Sequence, residues 1–263
     1  LFALVCSIFV ISCSNDDDND LQTTGVNGKP SGLKSGNANV FFYYQGDKLS
    51  GMKEIKGTVS DFKYENNELV LISYSPEDKD VQDGTGSKII IESSGAPFFT
   101  VSRWELELNE GNIPAKITEI GDFDRTGSNG EFSKVEDGKY YAVFTYDSEN
   151  KNLIKQTLYN KSTAEIVATY DYQYDNNLGV MSKIDLPLWF YAFKAYQARN
   201  YRDAYNRIYS NYQNNIVKET VSVEIPGDGI TNGIFNYSYQ YNEGKAPVSM
   251  NVVSVPVDIL ITY

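Results

Sequence analysis

The sequence predicts an all-β fold: an antiparallel meander curling toward a barrel-like sheet, with one inserted amphipathic helix. Three observations predict it. Apolar and polar residues alternate with period two through most of the chain. Short turn-forming clusters interrupt the alternation. One long segment without Gly or Pro breaks the pattern.

The alternation is cleanest in three stretches. "FNYSYQYN" puts Phe235, Tyr237, Tyr239 and Tyr241 on one face and Asn236, Ser238, Gln240 and Asn242 on the other. "TYDYQYD" sets Tyr170, Tyr172 and Tyr174 against Asp171, Gln173 and Asp175. "SRWELELN" alternates Trp104, Leu106 and Leu108 with Arg103, Glu105 and Glu107. Strands with one packed face and one wet face belong to antiparallel sheets. The turn signals Glu65-Asn66-Asn67, Asp83-Gly84, Asp137-Gly138 and Asn176-Asn177 come at intervals that suit hairpins.

Residues 188–212, "LWFYAFKAYQARNYRDAYNRIYSNY", come directly after Pro187, a good first helical residue. Trp189, Phe193 and Tyr196 fall at helical spacing, as do Tyr201, Tyr205, Ile208 and Tyr212. The segment reads as one helix with a bend near Arg199-Asn200. Its apolar face is expected to pack on the aromatic face of the sheet or plug one end of the barrel. Its polar side, with Lys194, Arg199, Arg202 and Arg207, is expected to face solvent as a basic strip.

A short pattern recurs: aromatic, any residue, Tyr, then a polar turn former. It appears at Phe62-Lys63-Tyr64-Glu65, Phe144-Thr145-Tyr146-Asp147, Tyr172-Gln173-Tyr174-Asp175 and Tyr239-Gln240-Tyr241-Asn242. Its sense is a strand end that packs two rings on one face before a side chain able to cap the turn. The copies are unevenly spaced, so this is a hairpin style rather than a solenoid period.

The chain has 263 residues, enough to bury a sizeable core. Its net charge of −12 argues against nucleic acid and anionic membrane surfaces as partners. With no histidine, zinc hydrolysis, Ser-His-Asp chemistry and Cys-His nucleophiles are excluded in their usual forms. The two cysteines are Cys6 and Cys13, so residues 14–263 contain neither disulfide nor thiolate metal site. No cofactor or metal is expected.

"LFALVCSIFVIS" is an uncharged apolar run, too short for a spanning helix of about 20 residues but of the length of a signal-peptide core. Residues 1–12 are therefore read as a signal remnant whose leading part is missing. Val10-Ile11-Ser12-Cys13 resembles a lipobox, the site at which bacterial lipoproteins are cleaved and lipidated on the cysteine. The resemblance implies a diacylglyceryl group on Cys13, and two chains are what stable anchoring requires. The adjoining "SNDDDND", with Asp16, Asp17 and Asp18, looks like the acidic export tag of surface lipoproteins of the Bacteroidota. That resemblance implies an address on the outer face of the outer membrane. Residues 13–38 read as the lipidated cysteine and a flexible tether with a reach of roughly 25–30 Å. Residues 39–263 read as a single β domain.

"FTYDSENKNLIKQTLY", "YDYQYDNNLGVMSKIDLP" and "NNIVKETVSV", in this order, resemble Bacteroidota lipoproteins of unknown function built from YD-type hairpins. The matched stretches run from Phe144 to Val223; residues 76–135 do not match. The resemblance implies a barrel-like antiparallel meander and brings no catalytic residues.

Three stretches invite a chemical reading. Glu105 and Glu107 are similar to the paired carboxylates on one strand of laminarinase-like retaining glycosidases, which stand about 5–5.5 Å apart. The middle aspartate of that pattern is missing, and a solvated strand face is the simpler reading. Asp122, Asp124 and Gly127 begin like a calcium loop, but Ser133 falls at the closing ligand position and Glu131 comes early. A polar hairpin is expected there. The tyrosine stripes could stack sugars, yet stripes at strand period more often pack a core. The expected function is a non-catalytic lipoprotein anchored at the outer-membrane surface, with a glycan or surface protein as partner. A glycan-binding module is the alternative, and a retaining β-glycosidase using Glu105 and Glu107 the remote one.

Overall fold

The computed structural model of the chain describes residues 28–263 apart from 37, 55–58, 66–67, 74–78, 82–87, 95–99, 127–130, 150–151, 200–203, 228 and 254–257. The signal run, Cys13 and Asp16, Asp17 and Asp18 lie outside the described residues.

Seventeen strands and two helices form among the described residues. β1 (Gly32–Ser35) pairs on one side with β2 (Ala38–Gln45) and on the other with the last strand, β17 (Asp258–Thr262). The beginning and end of the domain are therefore joined, as the predicted curling requires. The consecutive strands β6 (Lys79–Val81) and β7 (Lys88–Ser94) lie side by side. β1 corrects the sequence reading, which placed residues 13–38 in the tether. Leu33 is wholly buried there, and Ser31 donates its N–H to the Thr262 carbonyl at 2.6 Å. A single leucine between glycines and serines gives no alternation to read.

The other strands are β3 (Lys48–Glu54), β4 (Val59–Glu65), β5 (Glu68–Ser73), β8 (Thr100–Leu108), β9 (Pro114–Thr126), β10 (Glu131–Asp137), β11 (Tyr140–Tyr146), β12 (Leu153–Asn160), β13 (Ile166–Leu178), β14 (Asn214–Val223), β15 (Gly233–Tyr241) and β16 (Pro247–Val252). β10 and β11 are successive lengths along one edge of β9. Two glycines make their junction possible. A Cβ on Gly138 would stand 2.2 Å from the Glu119 carbonyl oxygen, and one on Gly121, at φ +140°, 2.1 Å from that of Glu136.

Among the described strand pairs, six hairpins turn at one rim, because strand direction alternates around the meander: β2–β3, β4–β5, β8–β9, β11–β12, β13–β14 and β15–β16. All six slip register at the same place. Tyr43 faces Gly51 but Tyr44 faces Leu49, so the second strand carries one extra residue. The same slip precedes Tyr64, Leu108, Tyr146, Tyr174 and Tyr241, which face Leu69, Pro114, Leu153, Ile216 and Pro247. The recurrent aromatic-x-Tyr pattern thus marks a bulged strand end. Tyrosine hydroxyls tie this rim together: Tyr174 donates to the Leu153 carbonyl at 2.7 Å, Tyr263 to that of Pro247 at 2.9 Å and Tyr44 to that of Pro30 at 2.7 Å.

The two faces of the sheet differ sharply. Val167, Tyr170 and Tyr172 of β13, Val221 of β14 and Tyr237 of β15 are buried. Between them Asp171, Gln173, Lys218, Ser222, Asn236, Ser238 and Gln240 turn outward, half-buried or exposed. Cross-strand pairs lace this outer face: Lys88–Glu105 and Lys116–Glu107 at 2.9 Å, Lys155–Asp171 at 3.8 Å, and Glu92–Arg103. A barrel that crosses a membrane carries the opposite arrangement, apolar outside and polar within.

The segment expected as one helix over 188–212 forms two, α1 (Leu188–Gln197) and α2 (Ala204–Ser210). The reason is topological. β13 and β14 are hydrogen-bonded neighbours joined at the bulged rim, so the insertion must return to where it left. A continuous helix of 25 residues would end about 37 Å away. The chain folds back instead, and it does so inside the sheet. Every residue from Trp189 to Tyr196 is buried, which is the mark of a helix surrounded on all sides.

Candidate functional site: the filled lumen

α1 meets the wall through two ring contacts. Phe190 packs on Phe62 of β4 with ring centroids 6.2 Å apart, and Phe193 meets Trp104 of β8 edge-on at 5.2 Å. Trp189, Phe193 and Tyr196 therefore do what the sequence reading expected of them, as an internal plug.

The basic strip is overturned. Lys194, Arg199 and Arg207 are buried, and Arg202 lies outside the described residues. A helix enclosed by the curled sheet has no solvent face, so its cations need partners inside it. Arg199 pairs with Glu119 of β9 at 2.6 Å. The same Glu119 Oε1 accepts from the Tyr196 hydroxyl at 2.8 Å. Its Oε2 accepts the backbone N–H groups of Lys139, at 2.8 Å, and Tyr140, at 3.0 Å, at the β10–β11 junction. One carboxylate thus fastens the plug to the irregular point of the wall.

Arg207 of α2 pairs with Glu219 of β14, and the Tyr237 hydroxyl donates to the other Glu219 oxygen at 3.1 Å. At this pair Nε and Nη1 of Arg207 and the nearby Tyr172 hydroxyl have no hydrogen-bond partner, and on β12 the buried Gln156 has none at either side-chain end. Burial pushes the hydroxyls of Tyr172, Tyr174, Tyr191, Tyr196, Tyr237 and Tyr239 well above the ordinary phenol range. Tyr64 is pushed up to about 12, by burial first and the nearby Asp185 second.

The neck of the insertion is an amide and carboxylate clamp. Asn152 donates to Asp147 and to Asn214, both at 3.0 Å, and Asn214 donates to the Asn177 carbonyl at 2.8 Å. Asn215, wholly buried, donates to the Leu178 carbonyl at 2.9 Å and receives the N–H of Val180 at 3.2 Å. Tyr241 donates to Asp175 beside it. A pocket here, lined by Tyr146, Leu153, Leu188, Tyr191 and Tyr212, has room for about one water.

Glu105 and Glu107 lie on the outer face of β8, each tied to a lysine of a neighbouring strand. Asp122 and Asp124 sit within β9 and accept from the hydroxyls of Ser102 and Thr100, both at 2.6 Å. The loop beyond them, 127–130, lies outside the described residues. The tyrosine stripes of β13 and β15 are spent on packing against the plug. Sequence reasoning missed Glu119, Gln156 and Glu219. The signal was present: each occupies a packed-face position of its strand, as in Val217-x-Glu219-x-Val221.

No family model matches the chain, and no curated protein does. Among solved structures, it is similar to a porin-like protein from Bacteroides vulgatus, with 11% identity, a TM-score of 0.48, and 89% of this chain and 98% of that chain covered.

Proposed function

We propose that this chain is a non-catalytic lipoprotein held on the outer surface of the outer membrane by a lipidated Cys13. One observation supports it best: the sheet is wet outside and filled inside. Its outer face carries Lys–Glu and Lys–Asp pairs where a spanning barrel would meet lipid. Its lumen is occupied by α1 and α2 rather than by a channel. Such a domain reaches a membrane through an anchor, and the apolar run ending at Ser12-Cys13 supplies one. The domain's first described residue, Gly28, and its last, Tyr263, both lie toward the bulged rim, so that rim faces the tether. The partner is a glycan or a surface protein met on the cell exterior.

Export provides the test. With Asp16, Asp17 and Asp18 replaced by Ala, the chain should keep its lipid, and whole cells should lose protease access to it. Equal access in both forms would reduce the aspartates to a solvated linker. A β-glucanase activity that disappears in Glu105→Gln or Glu107→Gln would overturn the non-catalytic reading.

A further inference from the structure

We infer that β10 is a self-association edge, along which two copies of this chain pair as antiparallel strands. Among the described strands, β10 pairs with β9 alone. β1 and β11 cannot cover its other edge, because each already has a neighbour on both sides. The exposure agrees. Residues 132–137 are exposed one after another, whereas in β11 buried and exposed residues alternate. Such an edge offers its backbone N–H and C=O groups to a further strand. It is also held ready. The Arg103 guanidinium carbon lies 4.5 Å from the Phe123 ring centre and 5.4 Å from that of Phe132, and Arg103 pairs with Glu92 of β7. These contacts pin the β9–β10 hairpin to the wall.

A lysine and a bulge, here Lys134 and the extra residue Val135, can shield a free edge. The order of the residues points instead to a second copy. "EFSKVEDGK", residues 131–139, is complementary to itself when reversed. An antiparallel pairing centred on Val135 sets Lys134 opposite Glu136 of the second copy and Glu131 opposite its Lys139, each twice by symmetry. Ser133 then meets Asp137, Phe132 meets Gly138, and Val135, which is 56% exposed, meets itself. Opposite charges facing across two strands stabilise the pair, and like charges oppose it. Nine residues a side fall well short of the roughly 20–30 of a standard interface, so the pairing is weak and reversible.

For the anchored chain, the direction of β10 decides where the second copy stands, a step that rests on the anchor proposed above. β9 leaves the bulged rim after the β8–β9 turn, and β10 runs back toward that rim. Two antiparallel β10 strands therefore turn the two bulged rims, and the chains leading to the two tethers, in opposite directions. The second copy sits on a facing membrane, and many weak pairings acting together join the two surfaces.

Sedimentation of the full chain with Cys6 and Cys13 replaced by Ala tests the pairing without a lipid, and so separately from the anchor. It should show a monomer–dimer equilibrium. Lys134→Glu should weaken the dimer about tenfold or more, and adding Glu136→Lys should restore it. In the same background Val135→Cys should give a disulfide-linked dimer on oxidation, and Ser133→Cys, displaced from the symmetry axis, should not. A chain that stays monomeric would leave the edge to another protein's strand and overturn the proposal. So would a dimer indifferent to Lys134→Glu, or one that the double exchange fails to restore. Vesicles shown by flotation to carry the lipidated chain should cluster, and Lys134→Glu should disperse them. Loaded vesicles that stay apart, or clusters that persist in Lys134→Glu, would overturn the joining of surfaces.

Discussion

Glu119 and Arg199 form an ion pair 2.6 Å long between the wall and the end of α1, with 17% and 8% of their side chains exposed. Removing the carboxylate would strand a buried guanidinium and two backbone N–H groups. Glu119→Ala should therefore cost about 3–5 kcal/mol, the range for breaking a buried pair. Glu119→Gln keeps an acceptor and should cost less, about 1–3 kcal/mol. Urea melts of the two variants check the order; equal and small losses would mean the plug is not fastened there.

The Arg207–Glu219 pair makes the opposite prediction when both partners go. Arg207→Met with Glu219→Leu replaces two desolvated charges by apolar groups of similar size. The double variant should match the wild type or exceed it by about 1–4 kcal/mol. A loss of several kcal/mol in the double variant would show that the pair stabilises the fold.

Phe193 is wholly buried and Trp189 nearly so. Truncating either to Ala should cost about 3–5 kcal/mol, combining lost burial with the cavity left behind. Melts that show no loss would mean α1 is not surrounded as described.

The buried tyrosines set an alkaline limit. Their folded pKa values lie above the unfolded value of about 10, so the folded state holds protons that the unfolded state releases. Stability should be flat below pH ~10 and fall above it, by about 1.4 kcal/mol per pH unit for each buried phenol. Absorbance at 295 nm recorded together with circular dichroism checks this: the buried phenolates should appear as the β signal is lost. Full titration of all tyrosines with the fold intact would contradict the filled lumen.

Much of this architecture is legible in the sequence because a strand shows its two faces at period two. Tyr170, Tyr172 and Tyr174, and Trp104, Leu106 and Leu108, were assigned to the packed side and lie there. The repeated aromatic-x-Tyr ending marked the hairpins, although the extra residue of each bulge sits on the second strand, where no residue type signals it. The charged face of 188–212 misled for a physical reason. Helical period separates polar from apolar residues, but whether the polar side meets water depends on what encloses the helix. The enclosing wall carries Glu119 and Glu219 on its inner face, and a carboxylate among inward valines is the trace that a helix with cations belongs inside.

A sheet that is wet outside and filled within needs an anchor to stay at a membrane. Cell fractionation of the Cys13→Ala chain without detergent tests this most directly. The variant should leave the membrane fraction as a soluble, folded protein with an undiminished β signal. Its retention in the membrane fraction, folded and released by detergent alone, would contradict both the anchor and the water-facing exterior.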